Sequence, residues 1–378
     1  MDLNPTSLLS LCLYFIRLGA TGFGGPIALT AAMQEDLIDK NNWFSQDTFQ
    51  EGMALSQLAP GPLAAQMSIY FGWVHSGIFG AALTGLSFIL PGFFIVLALS
   101  IAYVSFGTLP GIQKAFYGIG ASVIALISIG VFKLTKKNLK KDKLLWIIAI
   151  LNGLITAYSE QELLSIFLFS GFLVLLLRNP PKAKFLIFFP PILWTGTNGP
   201  ATKQTLLGIL AFFTKAGAFI FGSGLAIVPF LHGGVVVENQ WLTERQFLDA
   251  VAVAMITPGP VVITVAFIGF LVAGFFGSVL ACIGTFLPCY FFTVIPAPYF
   301  SKWSKNKYIY DFVNGVTAAA IGAIGGAVII LGKKALIDWT SVLICLGSLI
   351  LLLRFKKFPE QLVILLSGAL GLLLGGNL

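Results

Sequence analysis

The chain carries one pattern twice, and both copies lie in apolar sequence. Phe15, Gly19, Ala20, Phe23, Gly24 and Ala28 recur 198 residues later as Phe213, Gly217, Ala218, Phe221, Gly222 and Ala226. The spacing holds through a polar loop, pairing Trp43 with Trp241 and Phe49 with Phe247. It ends at a Pro-Gly-Pro in each copy, Pro60-Gly61-Pro62 and Pro258-Gly259-Pro260. A duplicated hydrophobic unit broken by Gly and Pro at matching places points to a secondary transporter with its site between the repeats.

Only 10% of the 378 residues are charged and 57% are hydrophobic, against about 25% charge in a soluble domain. Apolar segments near 8–32, 50–73, 78–105, 111–132, 144–158 and 161–177 are followed by a second set near 206–231, 246–271, 275–299, 312–332, 338–353 and 360–376. Their lengths suit helices crossing a hydrocarbon core of roughly 30 Å. The expected fold is therefore an all-α polytopic membrane protein, organised as a first repeat over 1–184, a linker over 185–200 and a second repeat over 201–378. No cleavable signal peptide is expected, because the opening MDLNPTSLLS lacks a basic region. The net charge of +8 does not imply a nucleic-acid partner. The lysines and arginines cluster in short loops, where they set topology and meet lipid headgroups.

Charge also bears on orientation. The stretch KLTKKNLKKDK (133–143) holds six lysines and is expected in the cytoplasm with Arg178, Lys182 and Lys184. Counting segments from there places the N-terminus inside and the acidic loop 34–51 outside. If the short, Pro190-Pro191-broken stretch 185–197 crosses, then Lys302, Lys305, Lys307, Arg354, Lys356 and Lys357 face inward, and Lys333 and Lys334 outward. Six inward against two outward favours crossing. The expectation is about 13 spans, in two repeats of inverted topology.

The Pro-Gly-Pro elements sit inside LSQLAPGPLAAQMSIY (55–70) and VAMITPGPVVITVAF (253–267). Proline lacks an N–H and clashes with the preceding turn, so each segment should break into two half-helices. Backbone broken at membrane depth survives when buried in protein or facing a wet cavity. A half-helix starting there points free N–H groups and a positive dipole end at the cavity, which suits an anion. The plainer alternative is a structural kink. The first segment of each copy carries GFGGP (22–26) or FGSG (221–224), which lets a helix end in mid-membrane or lets two backbones approach closely. Ser56, Gln57 and Gln66 in one half, and Thr257 and Thr264 in the other, can donate to oxyanion oxygens or satisfy backbone freed by the prolines. Trp43-Phe44-Ser45 and Trp241-Leu242-Thr243 read as an interfacial Trp followed by a helix cap.

Arg17 and Lys215 also match at the 198-residue spacing, each well inside an apolar segment. Intramembrane cations mark functional sites by default, and this pair can neutralise a dianion. The alternative is snorkelling to an interface. On the functional reading, Arg17→Ala abolishes transport without unfolding the protein. Glu35, Asp36, Glu51, Glu238 and Asp249 are the candidate proton carriers if transport is proton-coupled, though solvated loop charge is the favoured reading of each. Cys12, Cys282, Cys289 and Cys345 lie in apolar sequence and are read as packing residues. With two histidines and no Cys/His cluster, no metal or other cofactor is expected. No metalloprotease, serine-hydrolase or P-loop signature is present, so the chain is not expected to be an enzyme.

GFGGP, a loop ending in Trp-x-Ser/Thr, an LAPGP element, and then HSGIFGAALTGLSFILPGFF (75–94), echoed by AGFFGSVLACIGTFLPCYFF (273–292), together resemble the chromate ion transporter family in its long, two-domain form. The resemblance covers nearly the whole chain. It implies a multi-pass carrier of the bacterial cytoplasmic membrane that exports chromate, a tetrahedral dianion that mimics sulfate, and confers chromate resistance. It implies halves of opposite orientation, as the charge count does independently. Carried over by motif, the first-half residues are Gly24, Gly25, Pro26, Pro60, Gly61 and Pro62, while the second half departs at Ser223 and Gly224. The expected substrate site joins these to Gln66, Arg17, Lys215, Gly222, Thr257, Pro258, Gly259 and Pro260. Sulfate or another small anion remains an alternative cargo. A membrane scaffold or assembly subunit that transports nothing is the rival of a different class. The expected partners are the oxyanion and the lipid bilayer, with protons as a candidate coupling ion and a homo-oligomer allowed for.

Overall fold

The computed structural model describes residues 6–23, 25–107, 109–159, 164–178, 203–220, 224, 227–300, 306–355 and 358–374. The linker 185–200, Gly24 and Gly222 lie outside the described residues. Regular structure in the described residues is helical throughout.

The first half runs α1 (Leu8–Thr21), α2 (Gly25–Met33), a π-helical stretch (Gln34–Lys40), α3 (Gln46–Leu58), α4 (Leu63–Phe106), α5 (Pro110–Asn138), α6 (Lys143–Ser159) and α7 (Leu164–Arg178). The second runs α8 (Lys203–Ala218), α9 (Ile227–Leu231), a π-helical stretch (His232–Glu238), α10 (Glu244–Ile256), a 3-10 turn (Val261–Ile263), α11 (Thr264–Val294), α12 (Lys307–Ala335), α13 (Trp339–Arg354) and α14 (Glu360–Leu374). Local signals set these boundaries. Ser45 caps α3 by accepting from Thr48 N–H at 3.1 Å. Thr243 caps α10 in a capping box with Gln246. The prolines end α3 and α10 and start the next limbs after a four-residue gap, so both segments are split as expected.

Both long helices also bend sharply near the start. Ser76 and Gly77 adopt φ/ψ of −143/29 and 61/−147. Ala273 and Gly274, 197 residues later, adopt −146/29 and 62/−150. The limbs on either side of each bend fold back on one another at glycine. A Cβ on Gly72 would strike the Gly80 backbone, and one on Gly269 the Gly277 backbone.

One segment departs from the sequence expectation. Residues 8–32 were expected to cross as a single span, with loop 34–51 on the far side. Instead α1 has 14 residues, about 21 Å at 1.5 Å per residue, and stops at Gly22. His75 bonds the Thr6 carbonyl at 2.9 Å, so α1 starts beside the bend in α4 and reaches only to Phe88, whose backbone packs on Gly19. The chain then returns, bringing Trp43 beside Tyr14 with rings 6.4 Å apart. α3 packs against the first limb of α4, where Tyr70 donates to Glu51 at 3.1 Å. The starts of α1 and α3 and the bend at 76–77 thus share one end of the molecule, and the acidic loop lies at the same end as the N-terminus.

Side-chain bonds sort the remaining loops between two ends. The first end holds Lys133, paired with Glu360 at 3.3 Å, and Arg178, paired with Asp142 and, at 2.7 Å, with Asp311. Tyr290 also reaches the Ile78 carbonyl there at 2.9 Å. The second end holds Lys334, paired with Glu244 at 3.3 Å, and Asp338, bonded by Tyr117.

Packing crosses between the halves. α5 lies against α13 and α14, α12 against α6 and α7, and α4 against α11. Small residues set the closest approaches: Gly118 meets Gly371 and Ser367, and Gly315 meets Gly171 and Ser170. Leucines such as Leu9 and Leu373 face outward, 70% and 81% exposed, as a lipid-facing surface requires. Among the described residues four helices are long and apolar enough to cross a membrane alone: α4, α5, α11 with its flanking 3-10 turns (Val261–Ile263 and Ala297–Tyr299), and α12.

Candidate functional site

The two Pro-Gly-Pro breaks meet at the centre of the molecule. Each is fixed by the other half. Gly61 N–H donates to the Ile220 carbonyl at 2.6 Å, and Gly259 N–H donates to the Gly22 carbonyl at 2.9 Å. The acceptors, like the donors, are 198 residues apart, so one bond is the counterpart of the other. Both glycines have positive φ, +143° at Gly61 and +96° at Gly259, which a residue with a Cβ adopts only under strain. Packing beyond them follows the same rule. Cys289 Sγ covers Gly61, while Gly92, 197 residues before Cys289, lies against the Pro258 carbonyl.

Between the breaks lies a cavity of about 70 Å³, lined by Gly25, Pro26, Pro62, Leu63, Ala64, Gly224, Thr257, Gly259, Pro260 and Val261 among others. Three helical N-termini converge on it: α2 begins at Gly25, α4 at Leu63 and the 3-10 turn before α11 at Val261. The first N–H groups of a helix have no partner within it, and the aligned peptide dipoles place partial positive charge there. The lining extends to Glu360 and Gln361, at the first end of the molecule. Chemically, the cavity can hold a small anion against backbone N–H groups.

Of the sequence-proposed site residues, Gly25, Pro26, Pro62, Thr257, Gly259 and Pro260 line this cavity. Pro60, Gly61 and Pro258 form the breaks behind it. Gln66 is fully buried and supports the first break, its Nε2 donating to the Pro60 carbonyl at 2.9 Å and the Ala59 carbonyl at 3.3 Å. The Thr257 hydroxyl donates to the Val253 carbonyl at 2.7 Å, and Thr264 to the Val261 carbonyl at 2.7 Å. These polar side chains satisfy local backbone. Ser56 is fully buried and its hydroxyl has no partner among the described residues.

Arg17 and Lys215 are both exposed and absent from the lining. Arg17 shares the outer face of α1 with Leu9, Leu13 and Ile16. Sequence reasoning missed Glu360 and Gln361. The signal was an acid and an amide directly after Pro359, but nothing in the local pattern shows that α14 reaches the other half's broken helix.

Facing half-helices around a central cavity, inside an apolar helical assembly, define a multi-pass membrane protein. The chain belongs to the chromate transporter family, whose model matches residues 9–189 and 207–372. It is 52% identical to the "Chromate transport protein" of Cupriavidus metallidurans, over 97% of this chain and 94% of that one. It is also 52% identical to the "Probable chromate transport protein" of Synechococcus elongatus, over 97% and 95%. Identity to the "Chromate transport protein" of Pseudomonas aeruginosa is 32%, over 87% and 82%. No solved structure matches the chain.

Proposed function

We propose that this chain is a secondary carrier of chromate, exporting it across a bacterial cytoplasmic membrane and so conferring resistance. The observation that carries this reading is the convergence of three helix N-termini on one central cavity, in a chain half identical to proteins named for chromate transport. A water needs roughly 10–15 Å³ of such space. The cavity's 70 Å³ therefore has room for about five to seven waters, enough for a small oxyanion.

The topology proposed is an inverted pair of repeats. Matching elements lie at opposite ends: the bend at 76–77 with Lys133 and Arg178, its counterpart at 273–274 with Lys334. The lysine-rich stretch 133–143 supports a cytoplasmic first end, with the N-terminus on the same side. In each half the pairs α1–α2 and α3–first limb of α4, or their counterparts, enter and return from one side. The second limbs of α4 and α11 cross, as do α5, α6, α7, α12, α13 and α14. These are eight crossings among the described residues, where the sequence pattern suggested about 13; the expected crossing at 185–197 lies outside the described residues.

The cavity reaches Glu360 at the proposed cytoplasmic end, which suits loading from inside. Rocking one half against the other would then expose the site outward. A dianion leaving a negative interior gains about 4.6 kcal/mol per 100 mV, so export needs no ATP-binding partner.

The test is radiolabelled chromate flux in everted membrane vesicles, with and without excess sulfate. Energy-dependent accumulation is expected, and competition by sulfate marks an oxyanion site. Absence of flux above empty vesicles, with folded protein present, refutes the reading.

A further inference from the structure

A second cavity, of about 220 Å³, opens at the other end of the molecule and contains none of the oxyanion-site residues. Asp249 lies on its wall, 5% exposed. Its carboxylate accepts a hydrogen bond from Tyr103 at 2.6 Å. The donor is on α4 of the first half and the acceptor on α10 of the second, so this bond bridges the two halves.

The other charged and titratable groups around the cavity are few. Glu244 and Arg245 stand on α10, Tyr117 on α5 and Lys334 on α12. Glu244 is occupied by Lys334 at 3.3 Å and by His232 at 2.8 Å. Tyr117 is occupied by Asp338. Among the described residues Asp249 has no cation within 4 Å, and the Arg245 guanidinium, one turn back on α10, acts on its carboxylate only through space.

The feature is confined to one half. At the matching position, Glu51 is exposed and bonded by Tyr70 of its own half at 3.1 Å. The counterpart of Tyr103, 197 residues on, is Phe300, packed among Leu55, Ala59, Tyr70 and Ala297. Asp249 also stands on the half-helix that ends at the oxyanion cavity. Eight residues separate it from Thr257, about 12 Å along the axis.

We propose that Asp249 is the proton-carrying group of this carrier, exchanging one proton for the outgoing oxyanion. The proposal rests on the carrier reading above. Relative movement of the halves parts Tyr103 from Asp249. The buried carboxylate then lacks a donor, and burial favours its neutral form. It takes a proton from hydronium in the cavity water, an O–H bond of the hydronium breaking as one forms at one Oδ. When the halves close again the proton returns to water at the opposite end and the Tyr103 bond re-forms. No other bond changes.

The experiment uses the full chain in liposomes with radiolabelled chromate, the membrane potential clamped at zero and a pH gradient imposed. Wild-type accumulation should follow the gradient. Asp249→Asn should lose that response while retaining chromate–chromate exchange, and Glu51→Gln should keep both. A gradient response surviving in Asp249→Asn overturns the proposal. So does wild-type exchange with no gradient response, although the carrier reading then stands. Absence of wild-type exchange refutes the carrier reading and with it the proposal. Should Asp249→Asn fail to fold, Tyr103→Phe keeps the carboxylate and removes its donor. A shifted pH profile is then expected, and an unchanged profile overturns the proposal. Infrared titration gives an independent readout: a protonated-carboxyl band present in Tyr103→Phe and unresponsive to pH would also overturn it.

Discussion

Alanine at Gly61 and at Gly259 separates two costs that the structure distributes unequally. Both glycines have positive φ, and forcing alanine into such a conformation costs about 1–3 kcal/mol. At Gly259 little else is added, because the new Cβ would lie 3.3 Å from the Gly19 carbonyl oxygen, its only close neighbour among the described residues. At Gly61 the Cβ would lie 2.8 Å from Cys289 Sγ and 2.8 Å from Gln66 Nε2. Overpacking of that kind costs about 1–3 kcal/mol more. Pushing Gln66 aside also weakens its bonds to Ala59 and Pro60, at about 1 kcal/mol each. Gly61→Ala should therefore lose roughly 4–8 kcal/mol and Gly259→Ala roughly 1–3. Thermal melting in detergent, with chromate flux measured alongside, reads the difference. Cys289→Gly, which places at 289 the residue found at matching position 92, should recover part of the Gly61→Ala loss and none of the Gly259→Ala loss. Equal losses at the two glycines, or no recovery, would refute the reasoning.

Arg178→Ala removes the cation from Asp311, which is 2% exposed; a loss of about 3–5 kcal/mol is expected, largely restored by Asp311→Asn, both read by melting. Arg17→Ala and Lys215→Ala should retain chromate flux, since both side chains lie outside the cavity; abolished flux with folded protein would bring them back into the site. Asp338 caps α13 through Ser341 N–H at 2.8 Å and is bonded by Tyr117, and that tyrosine bond foremost holds its carboxyl below the usual range. Its depressed folded-state value means the contribution is complete above the unfolded carboxyl pKa of about 3.9 and fades as pH falls through the lower folded value. Asp338→Ala should accordingly cost about 1 kcal/mol as a lost cap at neutral pH, and its melting difference from wild type should shrink in acid. A difference that grows in acid would contradict that sign.

Much of the architecture was written in the sequence because the duplication carries register. The spacing that pairs Trp43 with Trp241 also pairs α3, 46–58, with α10, 244–256. The bends at 76–77 and 273–274 fell where the apolar segments were divided. The site's proline and glycine residues were legible for a local reason: Pro-Gly-Pro breaks a helix whatever surrounds it. The fold-back at Gly22 was not legible, since 8–32 is apolar throughout and hydropathy does not separate one crossing from a descent and a return. Nor were the faces of Arg17 and Lys215, because apolar residues surround them on every side of the helix and no stripe shows which way is in. Asp249 was named among several loop acids, and what distinguishes it from Glu51 is Tyr103, distant in sequence and in the other half.

The paired bonds from Gly61 to Ile220 and from Gly259 to Gly22 make each half the template for its partner. Neither broken helix has a carbonyl for its turning N–H until the other half arrives, so assembly of the centre is reciprocal. Two separately translated halves that met in the membrane would find the same acceptors, and a half translated alone would present an unmet donor and an unmet acceptor to any second copy able to enter in the opposite sense. Genetic complementation between fragments is therefore built into the way the centre closes.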